Sequence, residues 1–76
     1  MYHYLVIIEK GESNYSAYAP DLPGCAATGD TLEKVEKNMR EAIEMHLAGI
    51  IEDHKRIPIP RSIAQYIDIT LPRSRA

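Results

Sequence analysis

From Thr31 to about His54 a stripe recurs at spacings of three and four: Leu32, Val35, Met39, Ala42/Ile43, His46/Leu47 and Ile50/Ile51. That is the period of a helix with one covered face. The opposite side carries Glu36, Lys37, Arg40, Glu41 and Glu44, with Glu33–Lys37 and Glu36–Arg40 as favourable i,i+4 pairs. Asp30 followed by Glu33 matches a capping box, and Thr31 is a rival N-cap one place later. Ile57-Pro58-Ile59-Pro60 stops the helix, because each proline pushes its predecessor out of helical backbone angles. At about 1.5 Å per residue this helix is roughly 35 Å long. A chain of 76 residues has little left with which to cover its apolar face.

The remainder reads as strands. Residues 2–9, Tyr-His-Tyr-Leu-Val-Ile-Ile-Glu, are dense in β-branched and aromatic residues. Tyr2, Tyr4, Val6 and Ile8 face one way and His3, Leu5, Ile7 and Glu9 the other. Both faces are apolar in the middle, which predicts a central position in the sheet. Lys10–Asn14 suits a hairpin loop, and Tyr15–Ala19 returns as a second strand. Pro20-Asp21-Leu22-Pro23-Gly24 is a rigid turn: two prolines fix φ, and Gly24 can take a positive φ. Pro20, Asp21, Pro23, Gly24 and Gly29 are expected to fix the turn between the second strand and a short third one, Cys25–Gly29. Tyr66–Leu71 alternates Ile67, Ile69 and Leu71 against Tyr66, Asp68 and Thr70, as a half-buried strand does. The expected order is β-β-β-α-β, an α+β fold with a small antiparallel-type sheet and one long helix, spanning residues 1–76 as a single domain.

Composition limits what holds such a fold together. Hydrophobic residues make up 45%, with no Phe and no Trp. So short a chain buries only about 60% of the surface it exposes when unfolded. One cysteine, Cys25, excludes disulfides, and three scattered histidines (His3, His46, His54) exclude a structural zinc site. The usual remedy is then association of copies, most simply as a two-fold homodimer. No apolar run approaches the ~18 residues of a membrane span, and the start lacks a basic signal-peptide region. A cytoplasmic protein without membrane contact is expected.

Charge is divided along the chain. Residues 1–54 carry four basic and ten acidic side chains, net −6, whereas residues 55–76 carry five basic ones against Asp68, net +4. An acidic body repels nucleic acid and suits a basic protein partner.

Catalytic chemistry finds no foothold. Cys25 and a nearby histidine are the one conceivable nucleophile pair, with no accompanying oxyanion-hole or third-residue signature. No glycine-rich loop leads into the helix, and Gly29-Asp30 puts an acid where a phosphate would sit. Asp21, Asp30 and Asp68 read as a turn residue, a helix cap and the exposed side of a strand. The expectation is no catalytic residue, no metal and no cofactor.

Tyr18-Ala19-Pro20-Asp21-Leu22-Pro23-Gly24-Cys25 followed by Thr28-Gly29-Asp30-Thr31-Leu32-Glu33 resembles the signature of the HicB-like antitoxin family, and the proline-punctuated helix exit fits it too. The resemblance covers nearly the whole chain. It implies a partial ribonuclease-H-like fold without nuclease carboxylates. It further implies an antitoxin that binds and neutralises a small basic HicA-type, mRNA-cleaving toxin by occlusion. Candidate toxin contacts are Asp21, Glu36, Glu41 and Glu44. Many members carry a C-terminal DNA-binding domain. The 76 residues have none after Leu71, so this chain alone is expected not to bind DNA sequence-specifically. The alternative from another class is an orphan small-molecule-binding or residual hydrolytic protein using Cys25 and a histidine.

Overall fold

A computed structural model describes residues 2–72; the basic stub with Arg73 and Arg75 lies outside the described residues. Three strands, β1 (Ile7–Lys10), β2 (Tyr15–Tyr18) and β3 (Ala26–Gly29), precede a single helix, α1 (Leu32–Glu52). They form an antiparallel sheet in the order β1-β2-β3. The α+β architecture of small antiparallel sheet plus long helix is therefore as the sequence implied.

Register follows from alternation. Ile8 pairs with Ala17, and Ala17 with Ala27, so one face presents these residues to the helix. Ala17, Ala19, Leu22, Cys25, Val35 and Met39 make the buried core, with Tyr4, Val6, Ile8, Ile43 and Leu47 packed around it. Small residues on β2 and β3 let the helix approach closely. Asn38 Nδ2 donates to the Thr28 carbonyl at 2.8 Å, tying helix to sheet.

Both helix ends are defined by caps. Thr31, not Asp30, is the N-cap: it is extended (φ −130°) and its side chain accepts from the Lys34 N–H at 3.1 Å. The C-terminus stops before any proline. The Lys55 N–H donates to the Ile50 carbonyl and the His54 N–H to Ile51, both at 3.0 Å, the paired bonds of a Schellman motif. His54 takes the left-handed position at φ 56°.

Three expectations need correcting. The first strand is shorter than residues 2–9, and it is an edge strand, not a central one. Among the described residues β1 pairs with β2 alone. Tyr66–Leu71 joins no sheet among the described residues. Its residues alternate, but they have no ladder partner among the described residues. Gly29 lies at the end of β3 and not in the turn. A Cβ there would stand 2.5 Å from the Val35 nitrogen and 2.8 Å from its Cα, so glycine is required by the close approach of β3 to α1.

Candidate functional site

The turn after β2 is built around Leu22. The Leu22 N–H donates to Ala19 and the Cys25 N–H to Leu22, each at 3.0 Å, and the Leu22 side chain is fully buried. Pro20 is half-buried and Pro23 exposed, while Gly24 sits at φ 82° with open space where a Cβ would be. The apolar residue of this motif is thus its anchor. Pattern reading attended to the prolines and glycine and missed Leu22; its place between two turn formers was the available signal.

Asp21 faces the chain's own C-terminal segment. One carboxylate oxygen accepts the backbone N–H groups of Arg61 (2.8 Å) and Ser62 (2.9 Å), and the other accepts the Ser62 hydroxyl at 2.9 Å. The backbone bonds from Ser62 and then Arg61 hold its carboxyl below the ordinary carboxylate value. Beside it the Tyr4 hydroxyl donates to the Pro58 carbonyl at 2.6 Å. Desolvation chiefly, with smaller contributions from Tyr2 and Asp21, pushes this phenol's pKa up and keeps it a proton donor. Together Asp21 and Tyr4 clasp residues 58–62 to the body.

A groove of about 830 Å³ lies between the N-terminal segment leading into β1 and the helix. Its apolar floor is Tyr4, Val6, Ile8, Met39, Ile43 and Leu47; Glu36, Arg40 and Glu44 stand along it. It exists because α1 lies over β3 and β2 and leaves β1 comparatively uncovered. Of the candidate contact residues, Glu36 and Glu44 border this groove. Glu41 is exposed outside its lining, and Asp21 belongs to the clasp.

The chemistry of the alternative reading is not assembled. Cys25 is 5% exposed, burial raises its thiol pKa, and it lines neither the groove beside the helix nor the one formed by residues 3–6 and 60–63. A buried neutral thiol is a packing group, not a nucleophile. No cluster of three or more His, Cys, Asp or Glu suited to a metal ion occurs among the described residues. Nor is any described helix long and apolar enough to cross a membrane.

The model of a family described as the HicB_like antitoxin of bacterial toxin–antitoxin systems matches residues 4–72. The chain belongs to that family, whose members act as non-enzymatic regulators. It is 42% identical over 65 residues to an uncharacterized 14.9 kDa protein from the rep-hol intergenic region of Haemophilus phage HP1, covering 86% of this chain and 49% of that one. It is 39% identical over 59 residues to a UPF0150 protein of Synechocystis sp., covering 76% of this chain and 75% of the relative. The chain thus spans about half the length of the phage relative (49%) and three quarters of the cyanobacterial one (75%). Among solved structures it is similar to a chain of the HicA3 and HicB3 toxin–antitoxin complex. The TM-score is 0.66 at 28% identity, covering 78% of this chain and 70% of that one.

Proposed function

We propose that this chain is the neutralising partner of a small basic HicA-type toxin. The observation that carries the reading is its likeness, at 28% identity and a TM-score of 0.66, to a chain of a HicA3–HicB3 complex. The mechanism is occlusion. An acidic body, net −6 over residues 1–54, docks on the basic surface that a ribonuclease toxin needs for its RNA and shuts the substrate out. Glu36, Glu41 and Glu44, all exposed on α1, are the contact residues of this reading. Asp21 supports it indirectly by holding the C-terminal segment. The working form is a homodimer or homotetramer, which relieves the thin core and the open sheet edges.

The test is co-expression of the chain with the small basic protein encoded beside it. Restored growth, together with co-purification of the pair that is lost at high salt, is the expected result. Toxicity unrelieved by the chain, with no complex at micromolar concentration, overturns the reading. If the chain relieves toxicity without binding the toxin, occlusion is wrong.

A further inference from the structure

Residues 63–72 make no strand pairing and project from the body. A chain of 76 residues packed as a globule has a radius of gyration of about 11 Å; this one has 16.5 Å and a long axis of 60 Å. The helix accounts for about 32 Å of that axis, and an extended segment of ten residues spans about 33 Å. Along the arm Ile63, Ile67, Ile69 and Leu71 fall on one face by alternation, and they are 84%, 73%, 71% and 77% exposed. Arg61 and Ser62 are fixed to Asp21 immediately before it, so the arm leaves from an anchored base.

The same chain carries an unfilled acceptor. β1 pairs with β2 on one side only, so its other side presents free backbone N–H and C=O groups. Next to that edge lies the groove floored by Val6, Ile8, Met39, Ile43 and Leu47. We propose that the two features answer each other between copies: the arm of one chain adds as a fourth strand to the free edge of β1 in a second copy. Ile67, Ile69 and Leu71 then fall on the groove, and Asp68 and Thr70 face solvent. The occupant is a second copy because each chain carries both the unpaired arm and, of its two sheet edges β1 and β3, the one that has an apolar groove beside it. A two-fold exchange uses both and leaves neither over, whereas a foreign strand would cover β1 and still leave the arm bare. Exchange also explains why a strand-like alternation sits in a segment without a partner in its own chain. This rests on the homodimer of the preceding section and gives it a specific interface.

Two measurements on the full chain decide it. Light scattering at micromolar concentration should give twice the 8.6 kDa chain mass. Isotope-filtered NMR on a mixture of labelled and unlabelled chains should give intermolecular contacts between residues 67–71 and residues 6–10. The double variant Ile67→Glu/Ile69→Glu should keep its helical circular dichroism and weaken dimerisation on the order of a hundredfold, since two buried anchors become charged. A monomeric wild type overturns both the homodimer and the exchange. A dimer without those intermolecular contacts, or one indifferent to the double variant, overturns the exchange alone. If the variant does not fold, the wild-type contacts decide by themselves.

Discussion

Asp21 and Ser62, 41 residues apart, meet through both carboxylate oxygens: one accepts the Ser62 N–H and the other its hydroxyl, each at 2.9 Å. This pairing joins the turn after β2 to the segment that leaves the helix, so the position of the C-terminal arm depends on one carboxylate. Without it, Tyr4 to Pro58 is the remaining side-chain hydrogen bond holding that segment among the described residues.

The clasp gives a pH dependence whose sign is fixed. Hydrogen bonds lower the folded-state pKa of Asp21 below its ordinary 3.8. Its stabilisation is therefore fully present above that ordinary value and is lost as pH falls through the lower folded value. Asp21→Asn should remove this contribution. Amide hydrogen exchange of Arg61 and Ser62 should quicken in the variant at neutral pH, and wild type and variant should converge in strong acid. Equal protection of those two amides in both proteins at pH 7 would show that the carboxylate holds nothing.

Two glycines separate strain from crowding. At Gly29 a methyl group would press on the Val35 backbone, which cannot swing aside as a side chain can. Gly29→Ala should cost about 2–3 kcal/mol, the upper part of the range for overpacking. At Gly24 space is open and only the positive φ opposes a side chain, so Gly24→Ala should cost about 1 kcal/mol. Urea unfolding of the two variants gives the comparison. A Gly29→Ala protein as stable as Gly24→Ala would mean that β3 and α1 are not so close.

His54 occupies a left-handed position that glycine adopts without strain. It is exposed, and the Schellman bonds it completes use only backbone atoms. His54→Gly should therefore stabilise the chain by about 0.5–1 kcal/mol. Thermal denaturation of the two proteins in the same buffer gives the comparison. A lower melting temperature would indicate a role for the imidazole instead.

Much of this architecture was legible because each local signal matched the tertiary outcome. The helix stripe placed Val35 and Met39 in the core, and alternation placed Val6 and Ile8 on its side of the sheet. The misreadings have one physical source: patterns report that a face is covered or an edge paired, not by what. The apolar middle of β1 suggested a central strand, yet β2 is central. Ile67, Ile69 and Leu71 alternate, yet they stay largely exposed among the described residues. The clasp could not be foreseen at all, because a contact over 41 residues leaves no spacing signal. The helix end was read from prolines because they are the strong breakers, while the backbone terminated earlier at a residue type that rarely takes positive φ.

Charge reversal on α1 tests the docking surface of the proposed function. Glu36, Glu41 and Glu44 are exposed, so replacing all three by Lys should change folding stability by no more than about 0.5 kcal/mol for each site. The same change takes residues 1–54 from net −6 to neutral. Association with a basic toxin is steered by that charge, and steering acts on the encounter rate more than on dissociation. Stopped-flow mixing at low salt should show the triple variant associating at least about tenfold more slowly than wild type. At an ionic strength near 1 M, where screening confines interactions to ~3 Å, the two rates should converge. Glu36 and Glu44 border the groove beside β1 whereas Glu41 stands outside it, so single reversals separate two mechanisms. Similar small losses at all three sites mean that only long-range charge matters. A loss concentrated at Glu36 and Glu44, with faster dissociation, would place the toxin along the groove. A triple variant that binds as fast as wild type at low salt would remove α1 from the interface.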